Sequence, residues 1–306
     1  MKKSLKYVVS GMALTVFLAA CGAEETQDEV TETNGTEETE AAANVGEELG
    51  YTITGIDAGA GIMAAAEEAL EVYGLDNYTL QSSSDAAMTS ALNEAYENEE
   101  AIVVTGWNPH WKFAKYDLKY LEDPEGVFGA AEDIHTIARL GLEEDMPEAY
   151  QVLDNFYWTE EDMGEIMVEI YEGKEPEEAA AEWVENNQDK VAEWTDGVGT
   201  VDGETISLAF VAWDSEIAST NMIAKVLESI GYTVEMNPME GGFMWAAVAN
   251  GEADAMVAAW LPGTHAAYYE DYQDDVVDLG ANLEGAKIGL VVPAYMEIDS
   301  IEDLQE

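Results

Sequence analysis

Val103-Val104-Thr105-Gly106-Trp107-Asn108-Pro109 and Met256-Val257-Ala258-Ala259-Trp260-Leu261-Pro262 are two versions of one phrase: an apolar run that ends in Trp, two residues before Pro. Each closes a longer repeated string. In the first, Tyr51–Ile56, Tyr78–Gln81 and Ala101–Thr105 read as strands, with helical patterns over Ile62–Tyr73 and Ala86–Asn98 between them. In the second, Thr205–Ala212, Tyr232–Met236 and Ala253–Ala259 are strands, and Ser219–Ile230 and Phe243–Asn250 are helices. Short apolar runs alternating with amphipathic stretches predict parallel sheets wrapped by helices. Two such βαβαβ strings predict an α/β protein of two similar lobes facing each other across a cleft. Ile134–Ala138 and Lys287–Val291 correspond loosely, each as a last apolar strand. Ligands bind outside the carboxyl ends of such strands, which places Trp107 and Trp260 at the cleft.

Residues 142–202 interrupt the repeat. Thr159–Tyr171, Glu175–Asn186 and Asp189–Trp194 carry helical patterns, with Thr159 and Pro176 suited to helix starts. This is expected to be a helical insertion on one lobe, with a hinge near residues 135–140. The expected division is lobe I from 51–135 plus 291–306, and lobe II from 136–290 including the insertion 142–202. Trp158, Trp183 and Trp194 fall at helical spacing in the insertion and are expected to pack in its interior.

The N-terminus reads as an address. Lys2, Lys3 and Lys6 precede the apolar run Tyr7–Leu18, too short for the roughly 20 residues of a membrane-spanning helix but suited to a signal peptide over 1–20. The run ends in Leu18-Ala19-Ala20-Cys21, which resembles the lipobox of bacterial lipoproteins. That resemblance implies a diacylated Cys21 at the mature N-terminus and a chain held at the outer face of the cell membrane. Cys21 is the single cysteine, so no intramolecular disulfide can form. Residues 22–50 contain no Lys or Arg and little that is large and apolar. Such a stretch cannot offset its ordering entropy, so 21–50 is expected to be a lipid anchor and disordered acidic linker, with an acidic interaction tail as the alternative.

The net charge of −54 argues against nucleic-acid partners, because phosphate contacts need Lys and Arg. Anionic lipid would repel the surface too, so the lipid and not charge is expected to hold the chain at the membrane. High charge density also suits a saline exterior, where screening weakens self-repulsion. His110 and His135 show no zinc spacing, and there is no nucleophile elbow, catalytic Cys or HExxH helix. No metal, cofactor or enzymatic activity is expected.

The binding chemistry falls on two groups of residues. Trp107, Trp213 and Trp260 lie at strand ends, outside the amphipathic pattern. Facing indoles offer negative π-faces to a quaternary ammonium, which donates no hydrogen bond. Asp214 and Glu216, next to Trp213, leave open an alternative in which carboxylates hold the cation. Gly59-Ala60-Gly61-Ile62-Met63 stands between the first strand and its helix, where the N–H groups of Gly61 and Ile62 favour an anion. His265, in Pro262-Gly263-Thr264-His265, is available as a further donor.

From about residue 51 onward the chain resembles the glycine betaine-binding lipoproteins of Opu-type osmoprotectant ABC importers. The resemblance rests on Gly55-Ile56-Asp57, Gly61-Ile62-Met63, Thr105–Trp111, Glu132–Thr136, Val211–Thr220, Ala259–His265 and Gly289–Met296. It implies a type II periplasmic-binding-protein-like fold whose lobes close on the ligand. It also implies a three-tryptophan prism for the trimethylammonium group at Trp107, Trp213 and Trp260, and a carboxylate held by Gly61, Ile62 and His265. The implied partners are glycine betaine, an ABC permease and its ATPase subunits. Proline betaine, carnitine or choline are the alternative ligands.

Overall fold

Parallel pairing carries both repeated strings into sheet. The computed structural model describes residues 44–305. In chain order the elements are α1 (Val45–Glu48), β1 (Thr52–Thr54), α2 (Gly61–Val72), β2 (Thr79–Gln81), α3 (Asp85–Asn98), β3 (Val103–Asn108), α4 (Lys112–Lys115), β4 (Leu118–Tyr120) and β5 (Glu132–Arg139). The insertion follows as α5 (Leu142–Asp145), α6 (Pro147–Asn155), α7 (Glu160–Tyr171), α8 (Pro176–Asn186) and α9 (Gln188–Trp194). The second string is β6 (Thr205–Phe210), α10 (Asp214–Ser229), β7 (Thr233–Pro238), α11 (Gly241–Ala249), β8 (Ala255–Leu261), α12 (Ala266–Tyr272) and β9 (Val276–Pro293). A 3₁₀ turn, Ile301–Leu304, follows.

The strand order among the described residues is β2-β1-β3-β9-β5-β8-β6-β7, with β4 beside β9. β1 pairs parallel with β2 and β3, and β6 pairs parallel with β7 and β8. Each trio is then completed by an antiparallel strand from elsewhere in the chain. β5, which follows the first string, pairs with β8 of the second, as Ile134 opposite Trp260. The last part of β9, which follows the second string, pairs with β3 of the first, as Ile288 opposite Trp107. β9 meets β5 over Val276–Ala286 and β3 over Lys287–Val291, so one strand joins the two halves. The fold is a two-lobed α/β architecture, with strand carboxyl ends of both halves turned toward a common cleft.

Three elements differ from expectation. β9 is longer than Lys287–Val291 because Asp278–Glu284 pairs with β5 although its sequence has no apolar alternation. α10 begins at Asp214 and not at Ser219: its first turns bury Ser215, Glu216, Ser219 and Thr220, polar residues that mask the helical period. The third is a correction to the linker expected over 21–50. Residues 44–50 are folded: the Asn44 side chain caps α1 by accepting from the Gly46 N–H at 2.8 Å, and Leu49 is buried in the core. The Tyr51 ring lies against Gly46, where a Cβ would meet it at 2.4 Å. Cys21, the signal peptide and the rest of the linker lie outside the described residues.

The insertion has its own aromatic core. Thr159 and Asp162 form a capping box on α7, and Pro176 opens α8 where its missing N–H costs nothing. Trp183 stacks on Trp194 at 6.0 Å between ring centres, and Trp158 meets Trp183 edge-on at 6.0 Å. All three indoles are buried.

A chain trimmed to begin at Gly50 loses α1 and the burial of Leu49, an expected loss of about 1–3 kcal/mol relative to one beginning at Asn44. Thermal unfolding of the two chains checks this, and coincident midpoints would show that α1 adds no stability.

Candidate functional site

All three strand-end tryptophans reach one cavity, and each arrives there by the local logic of its strand. Trp107 is the fifth residue of β3, and Trp260 the sixth of β8. Trp213 follows β6 and is the N-cap of α10. The cavity is lined by these three together with Gly61, Ile62 and His265, so the six candidate residues come together. The centres of Trp107 and Trp213 are 6.4 Å apart, with their planes inclined at 51°.

Hydrogen bonds at the indole edges fix the rings, and one face of Trp107 is covered by the Lys112 ammonium, 4.0 Å from the ring centre. The Trp213 N–H donates to Asp57 Oδ2 at 2.9 Å, and the Trp107 N–H donates to Ser215 Oγ at 3.3 Å. Neither Asp57 nor Ser215 was singled out as a site residue from the sequence, although each stands in a segment that carried the family resemblance. Ile56, Ala60, Thr264 and Ile288 complete the lining. Ile56, Ala60 and Ile288 escaped notice because an apolar side chain carries no chemical signal of its own, and Thr264 because its hydroxyl is turned to Glu132.

The polar end of the cavity is built on the start of α2. Ala60 offers no side-chain cap, so the first N–H groups of the helix, at Gly61 and Ile62, have neither an intrahelical acceptor nor a capping side chain. Opposite stands His265. Its Nδ1 accepts the Trp260 backbone N–H at 3.1 Å, which requires a neutral ring protonated at Nε2. Burial supports that state by pulling the imidazole down to about 4. The residues therefore present two backbone N–H groups and one imidazole N–H at one end, and three indoles beyond them.

The two halves meet closely here. A Cβ on Gly61 would lie 2.0 Å from the Thr264 carbonyl oxygen, so only glycine admits this approach. The turn that carries Thr264 is gripped by Glu132, whose Oε2 accepts the N–H groups of Gly263 and Thr264 at 3.1 and 2.8 Å. The Thr264 hydroxyl donates to the other Glu132 oxygen. Tyr268 Oη donates to the Gly59 carbonyl at 2.8 Å.

The alternative carboxylate site at Asp214 and Glu216 is corrected by the geometry, since neither residue lines the cavity. Asp214 Oδ2 accepts the Trp111 indole N–H, and burial with the nearby Asp85 charge raises its carboxyl to about 6. Glu216 is enclosed beneath the cleft. It accepts the Val211 N–H at 2.7 Å, and burial pushes it up to about 8, so it is largely protonated at neutral pH. The cavity lining thus contains no carboxylate. Asp85, His110 and Asp214 cluster within 4.8 Å of one another, but the buried Lys112 ammonium already acts on both carboxylates.

Comparison with known proteins places this geometry in a family. Residues 26–186 and 204–306 match the family described as the substrate-binding domain of ABC-type glycine betaine transport systems (OpuAC). The chain is 60% identical over 269 residues to the glycine betaine/carnitine transport binding protein GbuC of Listeria monocytogenes serotype 1/2a (strain 10403S), covering 87% of this chain and 90% of that one. Among solved structures, lactococcal OpuAC in its closed-liganded conformation with glycine betaine is 52% identical, with a TM-score of 0.46 over 48% of this chain and 58% of that one. The glycine betaine/L-proline-binding protein ProX from Borrelia burgdorferi is 39% identical, with a TM-score of 0.48 over 50% and 58%. The chain thus matches somewhat less than two thirds of each of these solved chains.

The tautomer of His265 is open to direct measurement. Nitrogen NMR is expected to find Nδ1 unprotonated and Nε2 protonated from about pH 8 to about pH 5, with titration centred near 4. Because the folded value lies below the unfolded one, the unfolded chain takes up the proton first. The stability this group contributes is therefore whole above about pH 6.5 and falls as pH drops toward 4. An Nδ1-protonated ring at neutral pH would remove the donor from the cavity.

Proposed function

Because the chain belongs to the family of substrate-binding domains of ABC-type glycine betaine transport systems, we propose that it captures glycine betaine in this cavity and delivers it to an ABC permease and its ATPase. The observation that carries the reading is the pairing of three indoles with a cluster of N–H donors in a cavity without a carboxylate. The trimethylammonium group meets the indole faces of Trp107, Trp213 and Trp260, which attract a cation that cannot hydrogen-bond. The ligand carboxylate accepts from the N–H groups of Gly61 and Ile62 and from His265 Nε2. The α2 dipole favours the same negative charge. A zwitterion brings its own counter-charge, so the site needs none.

Glycine betaine is preferred here over carnitine, named with it for the Listeria relative. Carnitine is two carbons longer between ammonium and carboxylate and adds a hydroxyl, while the one lining hydroxyl, on Thr264, already spends its proton on Glu132 and can only accept. The ligand spans two lobes whose proposed division falls near residues 135 and 290, with the helical insertion on the second. We further propose that Cys21 carries the lipid that tethers the chain outside the membrane. Among the described residues no helix is long and apolar enough to cross a membrane.

Two measurements test this reading. Replacing Trp107, Trp213 or Trp260 by Ala is expected to weaken glycine betaine binding roughly threefold to thirtyfold each. Trp183→Ala, in the core of the insertion, is expected to lower stability by about 3–5 kcal/mol and leave affinity unchanged. Equal affinity losses at Trp183 and Trp260 would sink the cage.

The second measurement is calorimetric titration with choline, which keeps the cation and replaces the carboxylate by a hydroxyl. Losing two charge-assisted hydrogen bonds implies about 3 kcal/mol, or roughly a hundredfold preference for glycine betaine. His265→Ala should narrow that preference. Comparable wild-type affinities for the two ligands would move the reading to a general quaternary-amine receptor.

A further inference from the structure

Three consecutive residues at the start of α10 are each hydrogen-bonded from the first half of the molecule. Trp213 reaches Asp57, and Ser215 receives the Trp107 N–H. Between them Asp214 is held twice: its backbone N–H donates to Asp85 Oδ2 at 2.9 Å, and its carboxylate accepts the Trp111 indole N–H. Trp107 lines the cavity, and Asp57 holds the Trp213 ring that does. Asp85 does not line the cavity, yet it is 2% exposed and wholly committed to this junction.

The local chemistry explains that commitment. Trp213, the N-cap of α10, has no side-chain oxygen with which to cap its own helix. A carboxylate from α3 takes that place from across the cleft, at the positive end of the α10 dipole. Asp85 is aimed by the loop after β3. His110 Nδ1 accepts the Lys112 backbone N–H at 3.2 Å, which leaves Nε2–H facing Asp85 Oδ1 at 3.4 Å. Lys112 supplies the compensating cation. It is fully buried, its Nζ has no hydrogen-bond partner among the described residues, and it sits 4.0 Å from the centre of the Trp107 ring.

We propose that Asp85 is a positioning residue for ligand capture: it caps α10 from the opposite half, and so locks Trp213 against Trp107 when the cleft is closed. The inference rests on the betaine-capture reading. Because the bond joins the two halves, it belongs to the closed state. Its loss therefore speeds ligand release, while ligand entry into the open cleft is unaffected.

The test compares wild type with Asp85→Ala and Asp85→Asn, using glycine betaine as the probe. Asp85→Ala is expected to weaken binding roughly tenfold to a hundredfold, with the change in the dissociation rate and an unaltered association rate. The unliganded Asp85→Ala protein is expected to melt lower, because buried His110 and Lys112 lose a partner, and on top of that the upward shift produced by the ligand shrinks. Asp85→Asn keeps an oxygen that can accept the Asp214 N–H and should recover part of the loss. Should Asp85→Ala not fold, Trp111→Phe carries the test. It deletes the bond to Asp214 yet leaves a ring to stack on Tyr171, which lies 3.8 Å from Trp111. It too is expected to speed release.

Unchanged release from these variants would overturn the assignment of Asp85 alone. So would a loss of affinity that merely tracks a loss of stability in the unliganded protein. A wild-type chain that binds no glycine betaine would overturn the capture reading along with it.

Discussion

A side chain on Gly61 would begin 2.0 Å from the carbonyl oxygen of Thr264, and the meeting of the two halves depends on its absence. The approach brings the open start of α2 opposite the turn that carries His265, so backbone N–H groups from one half and an imidazole from the other address the same space. Glu132 keeps the far side of the contact rigid by accepting three hydrogen bonds from Gly263 and Thr264. A carboxylate with that many partners is well compensated for its burial, which is why an acidic residue can stand so near a site that has to attract a carboxylate.

The electrostatics of the cleft run against those of the chain. The sequence carries a net charge of −54, yet the cavity is lined by indoles, apolar residues, Thr264 and a neutral histidine. The charges near it are turned away. Asp57 is spent on the Trp213 indole, Glu216 is largely protonated by burial, and Asp85 and Asp214 share the field of Lys112. Burial also draws the Lys112 ammonium down to about 7, against the pull of Asp85 and Asp214. An aromatic cage flanked by free carboxylates would favour any cation. One stripped of them, with N–H donors at its other end, favours a molecule carrying both charges.

Strand exchange gives these contacts their geometry. β5 leaves the first string to pair with β8, and the last part of β9 returns to pair with β3. Trp260 and Trp107 therefore each lie beside an antiparallel neighbour, Ile134 and Ile288. Two segments, β5 and the last part of β9, therefore carry the chain from one half to the other. The polar contacts across the cleft, at Asp57, Gly59, Asp85, Trp107 and Trp111, are directional hydrogen bonds.

The sequence by itself determined the repeated α/β strings, the strand-end placement of Trp107, Trp213 and Trp260, and the glycine turn before α2. Each depends on short-range patterning: apolar runs of strand length, helical spacing and a turn residue at a helix start. It also carried the family, because long blocks such as Thr105–Trp111 and Val211–Thr220 stand intact. It did not show that residues 44–50 fold, since the burial of Leu49 depends on partners far along the chain. Nor did it show the true start of α10, where polar residues buried against distant elements erase the helical period. The tertiary structure alone decided that Asp214 and Glu216 turn away from the cavity and that Asp85, Glu132 and Lys112 stand behind it. The physical reason is that a charged residue reads as solvent-exposed in any local pattern. Only its partners, brought from other parts of the chain, reveal that it is buried and what it holds.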